Sequence, residues 1–295
     1  METLNKIFYR PKNIKNYLKQ NKLNFNKNLG QNFLINANII NKIIKNANVA
    51  NCAVIEVGAG LGVLTNALAK NTKKVVAIEL DGGFCSMLKQ HFHNVKNVEI
   101  LNYDILKINL NNLLQNKFNN DTCKIKICAN LPYYLTSKFI ANVLKSRIKI
   151  NELILMVQKE VAKRFCAQPG SKNCSTISYL IHYYSVPQIL FEVGKKNFYP
   201  IPKVDSCCLK LTIKSPNTLT LIKNDEIQFF NFIKAAFSQR RKFLISPIAK
   251  HLNCNKIELA NVMTNLKLNC NSRAQNLNLK QFIMLFQQLK QLKFL

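Results

Sequence analysis

The sequence is poor in acid. Only 14 Asp and Glu stand against 43 Lys and Arg in 295 residues, a formal net charge of +29. That balance argues against a soluble enzyme of small metabolites. It points to a polyanion, nucleic acid ahead of an anionic membrane. Asn, Lys and Ile are abundant throughout, as in proteins from AT-rich genomes, and such drift contributes to the lysine excess. No apolar run reaches the roughly 18 residues of a membrane-spanning helix, so none is expected. The basic N-terminus lacks an apolar core of roughly 7–15 residues, which excludes a secretory signal, and its lack of Ser argues against a transit peptide. None of the ten cysteines forms C-x-x-C, and no His follows at zinc-ligand spacing. They read as small buried hydrophobes in a reducing cytosol, with no metal site. Hydrophobic residues make up 48%, ample for a core, so wholesale disorder is excluded. No internal repeat is visible.

Residues 1–30 hold seven basic residues and one acid without a sustained period, and read as a basic, partly mobile arm. Residues 31–50 place Phe33, Leu34, Ile39, Ile40, Ile43 and Ile44 at helical spacing. An alternation follows. Strands are expected at 53–57, 75–80, 98–101, 125–129 and 153–157, with helices at 64–70, 84–91, 137–144 and from about 160. Such alternation predicts an α/β fold with a mostly parallel sheet covered on both faces. A helix near 179–185 and two late strands, 189–193 and 207–213, suggest an antiparallel hairpin at the sheet edge. From about residue 216 only helical patterns remain. The expected organisation is a basic arm over 1–30, an α/β domain over 31–215 and a smaller all-helical domain over 216–295.

The first strand runs into glycines 58, 60 and 62 before a helix. Lacking Cβ, glycine lets the chain turn sharply and lets a ligand approach the backbone. Twenty-one residues after Gly58, Glu79 closes the second strand, where a carboxylate can take both hydroxyls of a ribose. Asp104 follows the third strand, placed to accept from an adenine amino group. Glu56, Glu79, Asp81 and Asp104 thus cluster at strand carboxyl ends in a chain short of acid. Loop-end acids on a solvated rim are the plain alternative. Two ligands compete, a nicotinamide dinucleotide and S-adenosylmethionine. The dinucleotide fingerprint G-x-G-x-x-G needs glycine where Val63 stands. The observed G-x-G-x-G resembles the first motif of class I S-adenosylmethionine methyltransferases, whose fold is Rossmann-like.

The fourth strand ends in Ala129-Asn130-Leu131-Pro132-Tyr133-Tyr134. This resembles the N-(L/I)-P-(Y/F) motif of methyltransferases that act on base amino groups. Adenine N6 is a poor nucleophile because its lone pair is delocalised into the ring. The Asn130 amide oxygen and the Leu131 carbonyl can each accept an N6 hydrogen and favour a pyramidal nitrogen. Pro132 stiffens the turn. Tyr133 offers a face for the extruded base, worth roughly 1–3 kcal/mol. An ordinary strand-to-helix turn with Tyr in the core is the alternative.

With both motifs present, the chain resembles the Ksg-type rRNA adenine N6,N6-dimethyltransferase family from about residue 27 to 285. Lys27-Asn28-Leu29-Gly30-Gln31-Asn32-Phe33-Leu34 is similar to its K-R-F-G-Q-N-F-L. Gln158-Lys159-Glu160-Val161-Ala162-Lys163-Arg164 is similar to Q-K-E-V-A-x-R, and Pro169-Gly170-Ser171-Lys172 to P-G-x-K. Phe198-Tyr199-Pro200-Ile201-Pro202-Lys203-Val204-Asp205-Ser206 resembles F-x-P-x-P-K-V-D-S. Ala236-Phe237-Ser238-Gln239-Arg240-Arg241-Lys242 resembles A-F-x-x-R-R-K. The resemblance implies cofactor contacts at Asn32, Leu34, Gly58, Glu79, Asp104 and Asn130, with Gly60 in the same loop. It implies transfer of four methyls from S-adenosylmethionine to two adjacent adenosines in a hairpin loop near the 3′ end of 16S rRNA, in a maturing 30S particle. A cytoplasmic monomer is the expectation. Asn28, Leu29, Tyr134 and Gly82-Gly83 depart from the family pattern.

Residues 215–295 carry 12 basic and 3 acidic residues. Arg240, Arg241 and Lys242, together with Lys27, are expected to grip RNA phosphates, the two basic ends flanking the catalytic mouth. A solvated helix face is the plain alternative for the Arg-Arg-Lys cluster. Two other functions stay open: a macrolide-resistance methyltransferase acting on large-subunit rRNA, and a non-catalytic assembly or transcription factor on the same fold.

Overall fold

Short runs of Val, Ile and Ala bounded by turns form the central strands, because β-branched side chains fit a buried, pleated surface. The structure, a computed structural model, describes residues 8–25, 30–118 and 123–294. Strands β2 (Ala53–Val57), β3 (Lys74–Glu79), β4 (Val98–Asn102), β5 (Ile125–Ala129), β6 (Glu152–Gln158), β7 (Ser185–Val193) and β9 (Ser206–Ile213) form one sheet in the order β4-β3-β2-β5-β6-β9-β7. The first five of that order are parallel, and β9 runs antiparallel to β6. Every residue of β2 and β5 is buried, as a sheet covered on both faces requires. The covering helices of this part are α2 (Ala37–Ala47), α3 (Val63–Ala69), α4 (Gly82–Phe92), α5 (Leu110–Phe118), α6 (Thr136–Ser146) and the start of α7 (Lys159–Cys166). The Rossmann-like α/β expectation holds.

Register sets the level of the site. Val57 pairs with Ile78 on β3 and with Ala129 on β5. One residue further, Gly58, Glu79 and Asn130 therefore emerge together at the carboxyl edge. The chain moves outward from β2 to β3 and β4, then returns to β5 on the other side. That reversal is a topological switch point, where open α/β sheets bind ligands.

Two expectations are corrected. Phe33 and Leu34 are not helical. They form β1 (Phe33–Leu34), a two-residue strand antiparallel to β8 (Phe198–Tyr199). The helix begins only after Asn36, whose side chain accepts from Asn38 N at 2.9 Å and from Ile39 N at 3.4 Å. Residues 8–25 are not a loose arm. Pro11 opens α1 (Pro11–Gln20), and Phe8, Ile14 and Leu18 are buried in the same core as β1, α2 and α4. Two apolar residues four apart suffice to seat one helical face, although Lys and Asn surround them.

The chain divides into two compact units, Met1–Ala162 with Gln188–Ile213, and Lys163–Pro187 with Lys214–Leu295. The helical unit therefore takes in residues 163–187, which the sequence pattern assigns to the α/β domain over 31–215. It contains α8 (Thr176–Tyr184), α9 (Lys223–Ala236), α10 (Ile245–Leu252), α11 (Lys256–Asn265) and α12 (Leu279–Gln291). Phe229, Phe232, Phe282 and Phe286 are fully buried at its centre. No helix among the described residues is long and apolar enough to cross a membrane.

Candidate active site

The glycine loop after β2 has the conformation its residue type predicts. Gly58, Gly60 and Gly62 have φ of 77°, 54° and 75°, a region that L side chains rarely enter. A Cβ on Gly58 would stand 3.5 Å from the Asn130 carbonyl oxygen, so the loop lies close against the end of β5. The loop is tied to β3 as well. Gly60 N donates to Glu79 Oε2 at 2.7 Å, and Gly58 N donates to the Ile78 carbonyl at 2.9 Å.

The four clustered acids separate into different roles. Glu79 is buried, and its other oxygen accepts from Asp81 N at 2.9 Å. Two backbone donors fix the carboxylate while each oxygen keeps a further lone pair for a ligand. Burial pushes its pKa above the ordinary Glu value. Asp81 caps α4, accepting from Gly83 N at 2.9 Å and Phe84 N at 3.1 Å. Asp104 accepts from Leu106 N at 2.9 Å through Oδ1, which holds its loop at the cavity wall. Glu56 is 1% exposed, and its Oε2 has no hydrogen-bond partner. It faces a smaller cavity of about 550 Å³ lined also by Leu34, Leu61 and Cys208. Burial, reinforced by the Glu79 charge, raises its pKa from 4.5 to about 8.

That shift has a definite sign in stability. The fold favours the protonated Glu56, so its contribution is complete below pH 4.5 and is lost as pH rises to about 8. Glu56→Gln is expected to remove a decline of up to about 1.4 kcal/mol per pH unit inside that window. Urea unfolding of parent and variant from pH 5 to pH 8 measures it, and identical pH slopes would contradict the assignment.

Asn130 is held from a distance in sequence. Its Nδ2 donates to the Asn32 carbonyl at 3.0 Å, and Asn32 Nδ2 donates to the Gly30 carbonyl at 3.0 Å. The Asn130 amide is thereby oriented, with Oδ1 left as its acceptor. The Tyr133 hydroxyl and Ser206 Oγ share a hydrogen bond at 2.8 Å. Burial raises the Tyr133 pKa, so the phenol stays neutral at physiological pH.

One cavity of about 790 Å³ collects most of the expected residues: Asn32, Gly58, Gly60, Glu79, Asp104, Asn130, Leu131, Pro132 and Tyr133. Its chemistry suits an adenosine: a fixed carboxylate, open glycine backbone and a second acid beside Ile105. Leu34 does not line it and faces the smaller cavity instead. Arg240, Arg241 and Lys242 lie in the helical unit on the exposed turn between α9 and α10, not on a helix face. Lys27, Asn28 and Leu29 lie outside the described residues. The cavity wall also includes Leu80, Tyr103 and Leu135, which the sequence reading passed over. Tyr103 and Tyr134 are 54% and 59% exposed at this cavity, large aromatic surfaces left in water. The adjacency of Tyr103 to Asp104 was the available signal.

Comparison with known proteins identifies the family. Residues 22–291 match the family described as ribosomal RNA adenine dimethylase. A curated relative from Alkaliphilus oremlandii, named Ribosomal RNA small subunit methyltransferase A, is 36% identical over 275 residues, 92% of this chain and 94% of its own length. The protein of that name from Clostridioides difficile is 36% identical over 262 residues, 88% of this chain and 89% of its own. The crystal structure of a dimethyladenosine transferase from Plasmodium falciparum superposes with a TM-score of 0.72 at 26% identity, covering 87% of this chain and 96% of that one. The 23S rRNA methyltransferase ErmE shares the fold, with a TM-score of 0.65 at 18% identity over 88% of this chain and 99% of its own. A methyltransferase sheet with its glycine loop, and a family match that runs on through the helical unit, place the chain in the ribosomal RNA adenine dimethylase family.

Proposed function

We propose that this enzyme transfers methyl groups from S-adenosylmethionine to N6 of two adjacent adenosines near the 3′ end of 16S rRNA. It acts in the cytoplasm as a monomer on a maturing 30S particle. The observation that carries this reading is the oriented Asn130 amide, which shares one cavity with Gly58, Glu79 and Asp104.

When bound, S-adenosylmethionine supplies a methyl on a positively charged sulfur, open to direct displacement. Glu79 would take the ribose hydroxyls, because its two oxygens are already aimed by Gly60 N and Asp81 N. Asp104 would accept from the cofactor's adenine amino group, and the Gly58 backbone leaves room for the chain that carries the sulfonium. The target adenine stacks on Tyr133, whose ring is anchored through Ser206. Asn130 Oδ1 and the Leu131 carbonyl accept the two N6 hydrogens, and Pro132 keeps that turn stiff. The methylated N6 then gives up one proton to water, so a single N6 hydrogen remains and one acceptor suffices for the second transfer. Positioning and fixed dipoles supply the acceleration.

Incubation with labelled S-adenosylmethionine and isolated 30S particles, 50S particles or free rRNA tests the reading. Label is expected in the 30S arm, as N6,N6-dimethyladenosine after digestion. Label in 50S alone would favour the macrolide-resistance chemistry, and binding without label would favour a scaffold. Glu79→Ala is expected to weaken cofactor binding roughly 10- to 100-fold, the worth of hydrogen bonds to a charged group. Calorimetry reads this directly, and an unchanged Kd would remove Glu79 from the ribose site.

A further inference from the structure

Helix α1 is anchored from one side only. Phe8, Ile14 and Leu18 are buried in the core, and Phe8 packs edge-on against Tyr17 with ring centroids 4.9 Å apart. Tyr17 also meets His91 in the last turn of α4, at 6.4 Å between centroids. After the helix the chain follows α4 back toward the carboxyl edge of the sheet. Leu23 lies against Gly83 in the first turn of α4, and the Phe25 ring stands 5.7 Å from that of Phe33, which lines the methyl-transfer cavity.

The other side is cationic. Arg10, Lys12, Lys15, Lys19 and Lys22 are all exposed. Five basic residues among the eighteen from 8 to 25 are about twice the chain average of 43 in 295. At about 100° per residue, Lys12, Lys15 and Lys19 fall within an arc of about 60°, away from Ile14 and Leu18. Residues 8–25 contain no acid, and neither do residues 82–97 beside them, where Lys89 and Lys96 are exposed as well. This pattern does not serve the helix itself. Lysines three and four apart repel. The helix opens on Arg10, with no acid in its first turn and no side-chain cap to offset its dipole. The stripe becomes favourable when a polyanion lies along it. A basic amphipathic helix can lie on a lipid surface, but only by inserting its apolar face, and here that face is spent on the core. The one aromatic residue of α1, Tyr17, is half-buried in edge contacts and offers no face to a base. The surface therefore suits phosphates and not bases, which is the demand of a paired RNA stem.

We infer that the Lys12, Lys15 and Lys19 face of α1, continued by Lys22, docks the phosphates of an RNA stem whose loop enters the methyl-transfer cavity. The inference rests on the reading of rRNA as substrate and adds a contact surface on the α/β unit, outside that cavity.

The test uses the full chain, a 16S-derived RNA hairpin, and the same loop sequence as a single-stranded oligonucleotide without its stem. The triple variant Lys12→Gln, Lys15→Gln, Lys19→Gln is expected to lower the slope of log Kd against log salt for the hairpin by about 0.9 per lost contact. The stemless oligonucleotide should keep its parental slope. Arg at the same three positions keeps the parental slope for both. The matched control is Lys124→Gln, Lys145→Gln, Lys149→Gln. These lysines are exposed around the amino-terminal ends of β5 and β6, at the edge of the sheet opposite the cavity, and their removal should leave the slope unchanged. Gln is as good a helix former as Lys, and melting curves matching the parent exclude misfolding. A parental hairpin slope in the α1 variant, or an equal loss in the control variant or with the stemless oligonucleotide, overturns the site. Lysine-dependent binding to phosphatidylserine vesicles that exceeds binding to the hairpin overturns it in favour of a membrane. The functional reading fails separately. A parent that transfers no methyl to any particle but binds the hairpin through α1 keeps this surface and loses the proposed function. A parent that methylates 30S, while the α1 variant keeps its slope, does the reverse.

Discussion

Asn130→Ala is expected to lose methyl transfer, with kcat falling by at least about 10²–10³-fold, the effect of removing a preorganised polar group from a reacting centre. Cofactor affinity should stay near the parent's, because Gly58, Glu79 and Asp104 remain. The structure adds a sharper form. Asn130 Nδ2 donates to the Asn32 carbonyl, so Asn130→Asp keeps an acceptor but sets carboxylate against carbonyl at 3.0 Å. That variant should be impaired as well, because orientation is lost though an oxygen remains. Single-turnover kinetics with calorimetry on the same samples separates chemistry from binding. Equal rates in Asn130→Ala and parent would remove this residue from the mechanism.

Gly62→Ala is expected to destabilise the protein by about 2–5 kcal/mol. The left-handed conformation costs a non-glycine residue about 1–2 kcal/mol, and overpacking about 1–3 kcal/mol. Gly62 has φ of 75°, and an added Cβ would stand 2.6 Å from Leu88 Cδ2 and 3.1 Å from Phe92 Cε2. Both neighbours are buried in the hydrophobic core, so making room for the methyl disturbs packed side chains. Gly82→Ala is the matched control, because its nearest heavy atom would be 3.9 Å away and its φ is ordinary. Denaturant midpoints should drop in the first variant and stay within experimental scatter in the second. Equal midpoints would contradict the packing account.

The parts of the site that are local in sequence were legible. Glycines 58, 60 and 62 between a strand and a helix demand a left-handed loop, and the loop has it. Asn130 through Tyr133 follow a buried strand and line the cavity as read. What was not legible depends on distant partners. Nothing near Asn130 announces Asn32, 98 positions away, and nothing near Tyr133 announces Ser206. The helix assigned to Phe33 and Leu34 came from reading an apolar run at one period, while Asn36, a good N-cap three residues before Ile39, marked the true start. Residues 8–25 were hidden by composition, since lysine and asparagine mask a stripe of only Ile14 and Leu18. That segment also explains a departure from the family pattern. A Cβ on Gly83 would stand 2.6 Å from Leu23 Cδ2, so the bare glycine makes room for the N-terminal segment. The transfer of residues 163–187 to the helical unit had no compositional signal, because the chain there is as basic and apolar as its surroundings.

The most direct measurement is a crystal structure of this protein soaked with S-adenosylmethionine or its demethylated product. The account predicts the adenosyl ribose on Glu79, the adenine beside Asp104, and the sulfur facing the gap between Asn130 and Tyr133. Electron density that puts the adenosyl group in any other cavity, or side chains of the protein closing that gap, would contradict it.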